Sequence, residues 1–240
     1  MTVEQIEALR KGLQESFDLL VAKVSKIQIG TKEQFPFGWR KSAKGRTVWR
    51  ILEELITQNL EKYHKEFKIE SITLSDSEVS VFDFECKILG NPTPIFINIK
   101  SALLGGRKNK DDISKGVGLK EFYADDINKN FFVGTFFIKF NKDMTIEIDH
   151  ATVFPIAWIP DIYVNPSNNG NLQSAYYKDL NDAVKRSNEE FHPLFLSALE
   201  FAKAKKEASS GDIISEPTGK YLKKVKTRWV EVDKQGNIVE

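Results

Sequence analysis

Two neighbouring segments alternate between polar and apolar residues with a period of two, which restricts this part of the chain to paired β-strands. The alternation in 79–87 separates Val79, Val81, Asp83 and Glu85 from Phe82, Phe84 and Cys86. The alternation in 94–100 separates Phe96, Asn98 and Lys100 from Ile95, Ile97 and Ile99. The intervening stretch from Gly90 to Pro94 is rich in turn-forming residues. If the two strands pair antiparallel, Asp83 lies beside Asn98 and Lys100 at one end of a strand.

An acid placed next to a lysine in this way has two interpretations. Carboxylates bind Mg²⁺, and a nearby ammonium can stabilise a phosphate or an attacking water, so Asp83 with Lys100 suits the cleavage of phosphodiesters. On spacing alone, a partly buried salt bridge between adjacent strands is the better explanation. Features elsewhere in the chain are needed to distinguish a catalytic site from a structural salt bridge.

The order of the remaining elements predicts an α/β (α+β) fold, in one domain built on a central mixed β-sheet flanked by helices. Thr2 and Gln5 form a capping box before an apolar stripe that runs to Val24. A helix is predicted at 47–64, and further helices at 112–130 and 177–206, the last broken near Pro193. Strands are predicted at 67–74, 79–87, 94–100, 131–140 and 145–154, with a polar loop at 165–174 and a short strand within 220–232.

Composition restricts the functional class only loosely. The formal net charge is +1, so the chain is not a generally basic nucleic-acid coat, although basic residues cluster in 32–50, 100–120 and 220–228. Each cluster alone is better explained as a solvated surface. The one cysteine, Cys86, excludes an internal disulfide and a multi-cysteine zinc site. We expect neither a signal peptide nor a bilayer-spanning run, and therefore a cytoplasmic protein with no membrane partner.

Glu53 lies on the predicted second helix, whose apolar face contains Val48, Ile51, Leu52, Leu55 and Ile56. On a helical wheel Glu53 falls at the edge of this face, and Glu54 points well away from it. An acid in this position can reach an active-site metal, or it can be a boundary residue paired with a nearby lysine.

Taken together, these motifs resemble the PD-(D/E)-x-K type II restriction endonucleases, and among them the EcoRV-like group. The resemblance runs from about Thr47 to Asp179 and rests on short motifs: Ile51-Leu-Glu53, Asp83-Phe84, Ile97-Asn98-Ile-Lys100 and Tyr177-Lys178-Asp179. It implies a restriction-endonuclease-like core that cleaves double-stranded DNA with Mg²⁺, for which Mn²⁺ can substitute. It also implies a homodimer that embraces a short palindromic site. The domain 1–240 would divide into an N-terminal helix for dimer contact (1–30), a catalytic core (31–160) and a recognition loop with a helical subdomain (161–240).

The resemblance also implies which residues act. Asp83, Asn98, Lys100 and Glu53 would be catalytic, and all of these except Lys100 would bind the metal. DNA would be held by basic side chains and read by a polar loop, because Asn and Gln can pair with adenine edges. The predicted DNA-binding residues are Arg40, Lys41, Lys44, Arg46, Arg107, Lys108, Asn168, Asn169, Gly170, Asn171, Gln173 and Ser174.

Asn98 departs from the motif, which has an acid at this position. Its amide oxygen can ligate Mg²⁺ but brings no charge, and Glu53 or Glu85 could supply the missing carboxylate. Either the chain is an Asp-to-Asn form disabled at position 98, or it uses a variant set of ligands. A catalytically inactive nuclease-fold DNA-binding protein is the second hypothesis. The third is an α/β scaffold without DNA affinity, in which Asp83 and Lys100 form a salt bridge.

Overall fold

The computed structural model describes residues 1–40, 48–75, 80–167 and 170–239. These contain four α-helices, which are α1 (Val3–Val24), α2 (Trp49–Tyr63), α3 (Gly116–Phe122) and α4 (Asn188–Glu207). The first seven strands are β1 (Lys26–Gln28), β2 (Ile69–Leu74), β3 (Phe84–Ile88), β4 (Asn91–Leu103), β5 (Asp111–Lys115), β6 (Asn130–Phe140) and β7 (Thr145–Pro155). The remaining strands are β8 (Tyr163–Asn165), β9 (Asn171–Ser174), β10 (Ile213–Ser215), β11 (Tyr221–Val225) and β12 (Arg228–Val232).

The central element is a six-stranded sheet with the order β1-β7-β6-β4-β3-β2. The pair β4 and β6 runs parallel, and the other neighbours run antiparallel, so the sheet is mixed. The predicted mixed sheet flanked by helices is therefore confirmed, as is the antiparallel pairing of the two alternating segments. The strand predicted at 79–87 begins only at Phe84, however, so residues 80–83, including Asp83, precede it. Their register places Phe84 opposite Ile97. The turn between them is tighter than predicted, because Gly90 adopts a φ of +78° and β4 starts at Asn91.

Helix α1 covers one face of this sheet. It begins with the predicted capping box, in which Thr2 and Gln5 exchange hydrogen bonds. Its apolar stripe is buried, with Leu13, Phe17 and Leu20 fully inaccessible. The Phe17 ring packs 5.1 Å from that of Phe136 on β6. Apolar burial of this kind is the main stabilising contribution to the fold.

Helix α2 buries a narrower face than the sequence predicted. Leu52, Ile56 and Leu60 are buried, whereas Ile51 is 47% exposed and belongs to the outer surface. The face is thus centred on residues spaced by four rather than on Leu52 and Leu55. Glu53 remains at its edge and is half-buried, while Glu54 is exposed.

Two predictions about the second half of the chain are wrong. The segment predicted as helix from 112 to 130 begins with β5, and only Gly116–Phe122 is helical. The polar stretch 165–174, predicted as a loop, contributes residues to β8 and β9, which pair antiparallel. Strands β5, β9 and β8 form a separate three-stranded sheet. Strand β5 is fixed by pairing with β9, a contact distant in sequence that local periodicity does not reveal.

The C-terminal part also differs from its prediction. Helix α4 starts only at Asn188, where Ser187 and Glu190 form a second capping box. Pro193 is the sixth residue of α4 and does not break the helix, which continues to Glu207. The predicted single strand near 220–232 is the hairpin β11–β12, completed by β10. Among the described residues, no helix has the length and apolar character to cross a membrane.

Candidate active site

The four predicted catalytic residues line one cavity of about 1070 Å³. One wall of this cavity is helix α2, and the floor is the end of β4 with the segment before β3. The opposite wall is formed by β5 and the start of β9. The residues brought together are Glu53, Asp83, Asn98 and Lys100.

Asp83 is held by backbone hydrogen bonds just before β3 begins. Its N–H donates to the carbonyl of Ile97 at 2.8 Å, and its own carbonyl accepts from the N–H of Ser75 at 2.9 Å. Its carboxylate Oδ2 accepts the N–H of Ile99 at 2.5 Å. The second carboxylate oxygen remains as the acceptor that this side chain can offer to the cavity.

Asn98 connects the floor of the cavity to the opposite wall. The residue is 9% exposed, and its Nδ2 donates to the carbonyl of Ile113 on β5 at 2.6 Å. An aspartate has no hydrogen to donate when ionised, so this bond requires the amide. The amide oxygen is left as the acceptor of the side chain.

Lys100 lies two residues beyond Asn98, on the same face of β4. It is half-buried and stands opposite Thr135 of the neighbouring strand β6. Within the described residues, no carboxylate comes within 4.0 Å of its ammonium. The salt bridge considered for Asp83 and Lys100 is therefore not formed at contact distance.

The electrostatics of the cavity disfavour its negative charges. The pKa of Glu53 is raised to about 7, chiefly by burial; Lys100 opposes this rise, the carboxylate of Asp83 adds to it, and Arg50 opposes it. Burial also raises the pKa of Asp83, against the Ile99 hydrogen bond and the charge of Lys100. A cation bound between the two carboxylates would offset this desolvation cost.

This donor set fits Mg²⁺, which is commonly bound by one or two carboxylates together with water and substrate phosphates. Glu53 and Asp83 supply the two carboxylates, and Asn98 can add an amide oxygen. Across the described residues there is no cluster of three or more His, Cys, Asp or Glu side chains able to hold a metal. Glu85, considered as a replacement acid, stands opposite Phe96 and does not line the cavity.

The wall formed by β5 contains residues that the sequence did not indicate as functional. Asp112, Ser114 and Lys115 line the cavity together with Asn171 of β9. Asp112 and Ser114 were missed because 112–115 was interpreted as the start of a helix, whereas Lys115 belongs to the basic cluster at 100–120. An alternation of apolar Ile113 with polar neighbours was the available signal, but it spans too few residues to be distinctive.

The remaining predicted DNA-binding residues have varied surroundings. Arg40 and Arg107 are exposed, and Lys108 forms an ion pair with Asp182 at 2.5 Å.

Gly170 occupies the turn between β8 and β9 with a φ of +70°. Gln173 donates to Asp112 at 2.6 Å. Ser174 is fully buried and donates to Asp161, so its hydroxyl supports the base of the hairpin. Lys41, Lys44, Arg46, Asn168 and Asn169 lie outside the described residues.

Comparisons with known proteins find a similarity of fold but no similarity of sequence family. No protein-family model matches the chain, and the search of curated proteins gives no match. Among solved structures, the chain is similar to the NlaIV restriction endonuclease, with 12% sequence identity and a TM-score of 0.44. The match covers 84% of this chain and 86% of that chain. At this level of similarity, chemistry has to be inferred from the side chains of the cavity.

Proposed function

We propose that the chain is a Mg²⁺-dependent endonuclease that cleaves double-stranded DNA at a specific site, as type II restriction endonucleases do. The observation that supports this proposal is the convergence of Glu53, Asp83, Asn98 and Lys100 on one cavity. Two carboxylates with raised pKa values lie in the cavity with Lys100, which forms no contact ion pair among the described residues, so the site can accept both a cation and an anion. A metal ion and a phosphate supply this cation and this anion together.

In the proposed reaction, Glu53, Asp83 and the Asn98 amide oxygen hold Mg²⁺, or Mn²⁺ in its place. A bound metal ion polarises a phosphate and lowers the pKa of a bound water. Lys100 stabilises the negative charge that develops on the phosphate oxygens, or orients the attacking water. The hydrogen bond from Ile99 keeps the Asp83 carboxylate in one orientation throughout.

The proposal extends to how DNA is held. Exposed Arg40 and Arg107, with Lys108 and the basic residues of 41–47, would contact phosphates. The hairpin β8–β9, whose residue Asn171 lines the same cavity, would contact bases. A homodimer matched to a palindromic site, and the place of the chain in the EcoRV-like group, remain predictions. DNA bending would contribute to selectivity in that group.

The second candidate is a nuclease-fold protein that binds DNA without cutting it. It is favoured by the absence of charge at position 98, which leaves Glu53 and Asp83 as the only carboxylates of the proposed metal-ligand set. The hydrogen bond that Asn98 donates to Ile113 favours the endonuclease instead, because it gives the amide a role that an aspartate could not fill. This supports Asn98 as a native variant of the ligand set.

Cleavage of supercoiled plasmid in Mg²⁺ tests the proposal on four proteins. These are the unaltered chain, Lys100→Ala, Asn98→Asp and the control Lys139→Ala, which changes an exposed lysine on β6. We expect discrete fragments from the unaltered chain and the control, and a rate at least about 100-fold lower from Lys100→Ala.

The other outcomes separate the alternatives. Fragments from Asn98→Asp alone would identify the chain as a form disabled at position 98. Tight DNA binding without cutting by any protein, in Mg²⁺ or Mn²⁺, would favour the non-catalytic candidate. Absence of DNA binding altogether would remove the nucleic-acid assignment and leave the scaffold hypothesis.

A further inference from the structure

A chain of polar side chains crosses the three-stranded sheet β5-β9-β8 beside the cavity. Asp112 on β5 accepts from Gln173 Nε2 at 2.6 Å and from Asn171 Nδ2 at 3.2 Å. On the far side, Asn165 Nδ2 of β8 donates to Gln173 Oε1 at 3.2 Å. The strand register is consistent with these hydrogen bonds, because Gln173 stands opposite Asp112 on one side and Tyr163 on the other.

Asp112 determines how the two amides are oriented. An ionised carboxylate only accepts hydrogen bonds, so each amide must turn its nitrogen, and not its oxygen, toward Asp112. A flipped amide would place a carbonyl oxygen against the carboxylate, leaving both acceptors without a hydrogen between them. The orientation of Asn171 and Gln173 is therefore a consequence of one acidic side chain.

The two amides differ in how many of their hydrogen-bonding groups remain free. Gln173 uses its nitrogen on Asp112 and its oxygen on Asn165, so both of its ends are engaged. Asn171 uses one N–H on Asp112. In the described part of the chain, its Oδ1 and its second N–H have no hydrogen-bond partner. Asn171 also lines the cavity that contains Lys100, whereas Gln173 does not.

One acceptor beside one donor on a fixed amide complements a base edge with one donor beside one acceptor. In the major groove, adenine presents this pair as N6–H₂ and N7, guanine presents two acceptors, cytosine a single donor, and thymine an acceptor with a methyl group. We propose that Asp112 is a positioning residue that presents Asn171 to an adenine next to the cleaved phosphate, and that Gln173 supports the sheet without contacting a base. This inference rests on the proposed function, since it requires DNA in the cavity.

A purely structural network makes a different prediction. If the four polar residues only stabilise the small sheet, then altering Asp112 changes thermal stability and leaves base preference untouched. If Asp112 positions Asn171, then Asp112→Asn loses discrimination while general DNA affinity stays equal or rises, because one negative charge near the phosphates is removed.

The test uses Lys100→Ala as the parent protein, so that bound DNA is not cut in Mg²⁺. The parent first selects its preferred duplex from a random-sequence pool. Affinity is then measured by fluorescence anisotropy on that duplex, with single adenines replaced by 7-deazaadenine, which lacks N7, or by purine, which lacks the N6 amino group. Asn171→Ala, Asp112→Asn and the control Gln58→Ala are each added to the parent. Gln58 is a suitable control because it is a cavity-lining amide on the opposite wall, bound to Glu54 at 2.7 Å.

We expect one adenine position at which either analogue weakens binding by the parent and by the Gln58→Ala protein about 10-fold. In the Asn171→Ala protein the same analogues should weaken binding by less than about 2-fold. In the Asp112→Asn protein the loss of affinity should lie between these two values, and affinity for random DNA should be undiminished. Should Asn171→Ala fail to fold, as seen by thermal unfolding, the Asp112→Asn protein with the analogues decides alone.

The inference is overturned if no adenine is sensitive, or if the analogue penalty is unchanged when Asn171 and Asp112 are altered. Site-specific plasmid cleavage by the unaltered chain would then still support the proposed function. If neither cleavage nor binding of any DNA is seen, the proposed function fails and the inference fails with it.

Discussion

The side-chain amide of Asn98 donates to the backbone carbonyl of Ile113 over 2.6 Å, and this bond joins the strand that carries Lys100 to the strand that carries Asp112. A carboxylate at position 98 would place negative charge against the Ile113 carbonyl and leave that acceptor unpaired. We expect Asn98→Asp to lower the free energy of unfolding by about 1–3 kcal/mol, because the site is buried.

Urea denaturation at neutral pH measures this difference. The matched control is Asn237→Asp, which removes an exposed amide donor that binds Asp233 at 2.9 Å and should change stability by less than about 0.5 kcal/mol. An Asn98→Asp protein as stable as the unaltered chain would contradict the structural role of this amide.

Glu53 makes stability depend on pH in the absence of divalent cations. The pKa of Glu53 in the folded chain is about 7, above the ordinary value of 4.5 for a glutamate, so between these values the folded state holds a proton that the unfolded state has lost. Stability from this group is therefore fully present below about pH 4.5 and is lost as the pH rises through 7. We expect the melting temperature of the unaltered chain to fall relative to Glu53→Gln across this window.

Thermal unfolding from pH 4.5 to 8 in EDTA checks this expectation. Glu54→Gln is the control, since Glu54 is an exposed acid one residue further along α2. Parallel melting curves for Glu53→Gln and the unaltered chain across the window would show that Glu53 titrates normally.

Lys100 acts on Glu53 through its charge. Because the ammonium opposes the rise in the pKa of Glu53, its removal in Lys100→Ala should move that pKa further up. Carbon-13 NMR of the glutamate carboxyl groups measures the midpoint directly, with Glu53→Gln to assign the resonance. A midpoint that stays in place or moves down would mean that the two side chains do not interact.

Gly134 on β6 allows α1 to pack closely against the sheet. A Cβ built on Gly134 would overlap the ring of Phe17, and would also lie 3.2 Å from Ile99 Cδ1. We expect Gly134→Ala to cost about 1–3 kcal/mol in unfolding free energy through overpacking.

A double-mutant cycle with Phe17→Leu identifies the cause of that loss. If the ring is the obstacle, the combined variant is less destabilised than the sum of the single changes. Additive costs would place the effect in the strand itself and not in its contact with α1.

The parts of the site that the sequence predicted are those specified by local pattern. Alternation along β4 puts Asn98 and Lys100 on one face, and the antiparallel pairing of β3 with β4 brings Asp83, just before β3, beside them. Glu53 was placed by helical periodicity, although the buried face of α2 proved to be centred on Leu52, Ile56 and Leu60.

The opposite wall was not predicted because its geometry depends on partners distant in sequence. Asp112 belongs to a strand because β5 pairs with β9, which follows more than fifty residues later in the chain. Likewise, the hydrogen bond that Asn98 donates to Ile113 depends on Ile113 lying in an extended strand. From the sequence alone, Asn98 could be interpreted only as the replacement of an expected acid.

Three consecutive residues of β4 perform three different tasks: Asn98 binds the neighbouring wall, Ile99 offers its N–H to Asp83, and Lys100 faces the cavity. Adding or deleting one residue upstream within the strand would reverse its two faces and disrupt all three tasks at once. This stretch can therefore diverge in residue type during evolution far more readily than in length. Homologous chains should align through it without gaps, even where their identities have drifted apart.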